Sequence, residues 1–168
     1  MICYGVPNGQ VLNDQYIINI DVTVIVIVKG FHGNTSSLFF AGQPWARPIK
    51  ANRVRLRGHA EGLETMGAGA TTGAIGFAID KYVTRKGFYV VREIGGHGNG
   101  RGFHEDPFIP SFGKKARGEI LHKWETITIE PMVNETAAKF ECTPFPAARS
   151  RSLKLRTALG LHSMNTRS

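Results

Sequence analysis

The sequence predicts a mixed α/β fold. Three observations carry that prediction. A run rich in β-branched residues, "QYIINIDVTVIVIVKGFHG", begins at Gln15; a capped helical pattern, "TTGAIGFAIDKYVTRKG", begins at Thr71; and two further strand-like stretches, "FYVVREIGGHGNG" and "TITIEPMV", begin at Phe88 and Thr126. With 168 residues, of which 42% are hydrophobic, the chain has enough apolar content for one core.

Taken in order, the first run is a long strand or a hairpin, interrupted by Asp21 and Thr23, with a second arm near "GNTSSLFFAG". The helix has Thr71 and Thr72 as N-cap candidates, places Ile75, Ala78, Ile79 and Tyr82 at helical intervals, and closes at Gly87. The stretch after Phe88 is a strand running into a glycine-rich loop, and "TITIEPMV" is a short strand ending at Glu130 and a proline. Periodicity leaves the strand order open.

A net charge of +8 invites a nucleic-acid hypothesis, but its distribution argues against one. Ten of the 21 basic residues lie in two acid-free segments: Arg47 to Arg57, and Arg149 to Arg167, where no acid follows Glu141. The remaining 11 face 13 acids. No apolar run reaches the length of a membrane span, and the start lacks the layout of a signal peptide, so no membrane role and a cytoplasmic location are expected. Cys3 and Cys142 are too few for a disulfide framework or a thiolate metal site.

Asp21 lies within a strand of Ile and Val, and Glu130 repeats that placement in "TIEPM". Burying an acid there is costly unless it is paired or holds a cation. His97 sits in "GGHGNGRGFHEDP", seven residues before His104. Imidazole and carboxylates converging from separate strands form a ligand set for divalent metals that prefer nitrogen and oxygen donors. Each residue also has a plain structural reading: a hydrogen-bonded strand acid, a loop histidine, a strand end.

Together, "INIDVTV", "GFHGNTS", "GATTGAIGFAI", "GFYVVREIGGHGNGRGFHEDPFIP" and "TITIEPM" resemble the core of a type I methionine aminopeptidase, over residues 1 to about 133. The resemblance implies a pita-bread α/β fold, here expected to be incomplete at both ends, enclosing two divalent ions (Co, Mn, Fe or Zn). The implied activity is removal of the initiator methionine from nascent polypeptides, with the ribosome as a further expected partner. By motif, Asp21, His97 and Glu130 match metal ligands. Glu130 also matches a proton acceptor beside the attacking water, His104 the histidine at the scissile amide, and Phe103 a wall of the methionine pocket.

The departures from the family are specific. Asn34 stands where the family has a metal-bridging aspartate, and an amide carries no charge with which to bridge two dications. Tyr4, in "CYGVP", replaces a histidine, and a phenol titrating near 10 cannot do imidazole acid–base work. Both changes are single base transitions. The segment "WARPIKANRVRLRG" stands in place of an expected amphipathic helix. Residues 134–168 read as an atypical basic tail, whose stretch "LKLRTALGLHSMNTRS" suits neither a strand nor a packed helix. The family's terminal glutamate motif "QYEHT" is absent, and "KFECT" around Glu141 matches it only superficially. Back-translated and read one frame over, His162 to Asn165 with the start of Thr166 permit Gln-Tyr-Glu-His, so the tail is expected to be out of frame. Three readings follow: an impaired aminopeptidase by ancestry, a catalytically silent binding module, or a decayed fragment with exposed sheet edges.

Overall fold

The computed structural model describes residues 9, 11–25, 29–144 and 151–157. The chain divides into two units, Leu12–Glu135 and Met1–Val11 with Thr136–Ser168. In the first, β1 (Ile17–Ile25) and β2 (His32–Phe40) form the expected antiparallel hairpin, with Asp21 opposite Ser36 and Thr23 opposite Asn34. Alternation along these strands puts Asp21, Asn34 and His32 on one face and Ile20, Val22 and Val24 on the other.

Two helices follow. The first, α1 (Ala46–Leu63), is a correction to the expectation for "WARPIKANRVRLRG": the helix forms. Its buried residues are Val54, Gly58 and Gly62, one stripe of small side chains along the helix. A side chain at Gly62 would meet Ile79 at 2.9 Å and Ile75 at 3.3 Å, so glycine lets the two helices approach closely. Four of its five basic residues are exposed, Arg55 is half-buried, and two find acids that the linear segment lacks. Arg57 lies 3.1 Å from Glu61 and 3.5 Å from Glu64, and Arg47 lies 3.5 Å from Glu135.

The second helix, α2 (Thr72–Arg85), forms as expected. The Thr71 hydroxyl accepts from the Ala74 amide at 3.2 Å, and Gly87, at φ +79°, turns the chain beyond the Lys86 cap. Ile75, Ile79 and Val83 are fully buried and pack with Val54, Phe88, Val90, Ile109 and Leu121. The helix start is anchored to the segment before Leu121. Thr72 donates its amide to the Glu119 carbonyl at 2.9 Å, and its hydroxyl accepts from the Glu119 amide at 3.2 Å.

The stretch after Phe88 is two short strands rather than one: β3 (Tyr89–Val90) and β4 (Gly95–Gly98). Most of the glycine-rich "loop" is therefore ladder. One edge of β4 pairs with β5 (Glu105–Pro110), with a register shift between Gly96 and Gly98. Its other edge receives the Thr126–Thr128 backbone: Thr128 donates to the His97 carbonyl and Asn99 donates to the Thr126 carbonyl, both at 2.8 Å. "TITIEPMV" makes that ladder through a bridge at Ile127, and only Val133 belongs to a strand, β6 (Val133–Asn134), paired with β3.

In the second unit, β7 (Ala138–Pro144) pairs antiparallel with β8 (Arg151–Thr157), placing Phe140 opposite Leu155 and Cys142 opposite Leu153. The part of the tail from Leu153 to Thr157 is thus strand, which corrects that expectation. Tyr4, Cys3 and His162 to Asn165 lie outside the described residues. Among the described residues, no helix is long and apolar enough to cross a membrane.

Candidate metal and peptide site

The β4 ladder brings four of the sequence-identified residues together. His97 sits with Nε2 3.3 Å from Glu130 Oε1, both side chains partly shielded from solvent. The His97 ring lies 4.4 Å from the His104 ring and 5.5 Å from that of Phe103, measured between centroids. Phe103 and His104 are themselves 4.3 Å apart. His104 is exposed, whereas Phe103 is half-buried. The Gly102 amide donates to the Glu105 carboxylate, which fastens the turn carrying these two rings to the start of β5.

Hydrogen bonds fix the orientation of the His97–Glu130 pair. His97 Nδ1 lies 2.7 Å from the Gly98 carbonyl, a contact that requires Nδ1 to carry the proton. In the neutral ring, Nε2 then presents its lone pair to Glu130. Two acceptors facing each other at 3.3 Å need a proton or a cation between them. Thr128 supports both partners: its hydroxyl donates to Glu130 Oε1 at 2.6 Å and accepts from the His97 amide at 3.0 Å.

Asp21 and Asn34 lie half-buried on one face of the β1–β2 hairpin. His32 lies on that same face and ties the hairpin to the β4 loop. Its amide donates to the Gly100 carbonyl at 2.8 Å, and its carbonyl accepts from the Asn99 amide side chain at 3.1 Å. Its ring sits 5.8 Å from Phe103. Asn34 Oδ1 is buried with no hydrogen-bond partner among the described residues. Such an oxygen is costly to desolvate.

His32 and Asn99 carry little sequence signal because they act on backbone groups more than 60 residues away, and Thr128 because a hydroxyl that braces Glu130 and the His97 amide looks like any strand threonine. Only the "FHG" and "GNG" settings of His32 and Asn99 mark them.

The donor chemistry can be weighed against a pair of divalent ions. Among the described residues, no three or more His, Cys, Asp or Glu side chains lie close enough together to hold a metal ion. The His97–Glu130 pair is two donors, and the amide of Asn34 offers only an uncharged oxygen, whereas a dinuclear centre needs a bridging anion. The residues described do not fit a two-ion centre. The clefts elsewhere on the molecule do not compensate, since the two principal ones, each about 350 Å³, lie along the outer side of α2.

Residues 1–150 match Metallopeptidase family M24. The chain is 42% identical over 135 residues to the methionine aminopeptidase of Escherichia coli strain K12, covering 80% of this chain and 50% of that protein. It is 37% identical over 134 residues to the methionine aminopeptidase of Rickettsia prowazekii, covering 80% of this chain and 51% of that protein. The chain thus spans about half the length of the curated relatives it matches. The crystal structure of the Rickettsia prowazekii enzyme superposes with a TM-score of 0.81 at 34% identity, over 86% of this chain and 58% of that one. The Thermotoga maritima methionine aminopeptidase gives a TM-score of 0.71 at 30% identity, over 79% and 53%. A prolidase from Pyrococcus horikoshii, 19% identical with a TM-score of 0.64, shares the fold alone. The α/β architecture expected from the motifs, the pita-bread fold, is the one these structures share with the chain.

Proposed function

Because the chain belongs to metallopeptidase family M24, we propose that it descends from cytoplasmic enzymes that remove the N-terminal methionine of nascent proteins, and that hydrolysis by this chain is impaired. One observation carries the second half: an amide, Asn34, shares the hairpin face with Asp21 where a two-ion centre requires a bridging carboxylate. The relatives are named methionine aminopeptidases, which supports N-terminal methionine as the substrate feature. Phe103, half-buried beside His97 and His104, is the ring best placed to face such a side chain. In this reading divalent metal is the group served by His97 and Glu130, which the fold brings together, with Asp21 a third ligand by motif alone. The ribosome is a further partner only through the nascent chain. Residues 134–168 are read as a separate basic tail whose end is out of frame; the coding DNA from the codon of Leu153 onward decides that.

Calorimetric titration with manganese, alongside release of methionine from a Met-Ala-Ser peptide, tests the proposal. The chain is expected to bind one ion or none, and to hydrolyse the peptide at least about 100-fold more slowly than the Escherichia coli relative, a barrier difference of about 2.7 kcal/mol. Asn34→Asp should raise manganese affinity at least about tenfold and produce a manganese-dependent rise in melting temperature. Two tightly bound ions and relative-like turnover in the unaltered chain would sink the proposal.

A further inference from the structure

A basic face lies away from the site, on the outer side of α2 and the loop after β5. Lys81, Arg85, Lys86, Lys114, Lys115 and Arg117 are exposed, and none has a carboxylate within ion-pair range among the described residues. In the linear cluster on α1, Arg47 and Arg57 are satisfied by Glu135, Glu61 and Glu64, Arg55 is held by Asn52 at 3.0 Å, and Lys50 lies 5.7 Å from the Phe88 ring. The face on α2 and the loop after β5 is built by residues outside both sequence clusters.

Aromatic rings sit beneath these charges. Lys81 and Lys115 lie 6.0 and 5.5 Å from the Phe77 ring, Arg85 and Lys86 each lie 5.7 Å from the Tyr82 ring, and Arg92 lies 4.8 Å from the Phe112 ring. This packing holds the cations over ring faces. Two clefts of about 350 Å³ lie beside these residues, one bordered by Phe77, Tyr82, Lys115 and Glu61, the other by Arg92, Lys114, Arg117 and Asp80. Both acids are engaged, Glu61 by Arg57 at 3.1 Å, and Asp80 by Arg92 at 3.6 Å and by the Thr84 hydroxyl at 3.1 Å.

We propose that this face binds single-stranded nucleic acid, the cations tracking phosphates and the clefts admitting bases against Phe77 and Tyr82. Charge alone would suit any polyanion. Phe77 and Tyr82 border the first cleft, and a base that displaces the cations from these rings gains the second component of single-strand recognition, a stacking surface. A duplex would keep its bases out of reach of these rings, and an acidic peptide would make no use of them.

Fluorescence anisotropy of a labelled 12-nucleotide oligouridylate, titrated with the full chain, tests this. Each phosphate neutralised contributes about −0.7 to the slope of log affinity against log salt, so four to six contacts give about −3 to −4, or about a hundredfold loss between 50 and 200 mM salt. The triple variant Lys81→Glu, Arg85→Glu, Lys115→Glu should weaken binding at least about tenfold with an unchanged melting temperature. Should it unfold, the three Gln substitutions at those positions take its place. Tyr82→Leu, which keeps the charges, should weaken binding at least about fivefold. Arg47→Glu with Arg53→Glu on α1 should leave it unchanged. The proposal is overturned by a salt-insensitive or absent signal, by triple variants that bind as tightly as the parent, or by poly-glutamate or a 12-base-pair duplex binding as tightly as the oligouridylate.

Discussion

The β4 ladder and the β1–β2 hairpin carry the candidate site residues on very different foundations. His97 and Glu130 are set on ladders that continue into the core, where Ile75, Ile79, Val83 and Ile109 are all but inaccessible. Asp21 and Asn34 are set on a two-stranded sheet whose opposite face is exposed: Ile20, Val22 and Val24 retain 49%, 46% and 54% of their accessible surface. A two-stranded hairpin draws little stability from itself. The imidazole–carboxylate pair is thus held by the fold, whereas the hairpin is tied to the β4 loop by the hydrogen bonds His32 makes with Gly100 and Asn99. Exposed apolar strand surface of this kind also invites self-association.

Truncation in the helical core should cost the most stability. Ile79→Ala removes a fully buried side chain that packs on Gly62, and should cost about 2–5 kcal/mol. Val22→Thr, on the exposed hairpin face, should stay within about 0.5 kcal/mol and reduce light scattering from the concentrated protein. Urea unfolding followed by far-ultraviolet circular dichroism measures both costs. Equal costs at the two positions would show that the hairpin is as deeply supported as the helices.

The tie between the regions comes next. Asn99 is 7% exposed and donates its side-chain amide to the His32 carbonyl at 3.1 Å. Its own Oδ1 has no partner among the described residues, so truncation forfeits one useful bond. Asn99→Ala should cost about 1 kcal/mol globally and should speed amide exchange locally, at His32 to Asn34, more than in α2. A loss as large as that of Ile79→Ala, with uniform exchange, would mean that Asn99 serves the core rather than the hairpin.

How much of this was legible in the sequence depends on what each element uses to hold itself. The helix α2 advertises itself: Thr71 caps it, Ile75 and Ile79 repeat at the helical period, and the structure buries both. The hairpin is equally plain from its β-branched run. By contrast, α1 is hidden because its buried stripe consists of Val54, Gly58 and Gly62, small residues that leave no apolar pattern, and because Trp45 supplies no side-chain cap. Of the site, the types and order of Asp21, His97 and Glu130 could be read from motifs. Their bracing by Thr128, Asn99 and His32 could not, because a bond to a distant carbonyl leaves no periodicity. The basic face on α2 was missed for a related reason: Lys81, Arg85, Lys114 and Arg117 are dispersed in sequence, and only folding gathers them on one side.

The smallest expected effect sharpens the comparison through pH, since it is confined to the helical layer. His59, half-buried on α1, has its pKa lowered from 6.5 by burial and, secondarily, by the positive charge of Arg55. Below 6.5 the unfolded chain therefore holds more protons at this position than the folded one. Stability from His59 is complete above 6.5 and declines as pH falls through 6.5 toward the lower folded value, beyond which the loss is constant. His59→Gln removes that contribution while leaving every other histidine in place, so the difference between the two stability–pH curves isolates it. The difference should be level above 6.5 and should grow in favour of His59→Gln as the solution is acidified. Arg55→Gln should shrink it only in part, since burial is the larger cause. A difference curve that is flat, or that favours the unaltered chain in acid, would place the charged form of His59 comfortably in the folded state and remove the helical layer as a source of acid sensitivity.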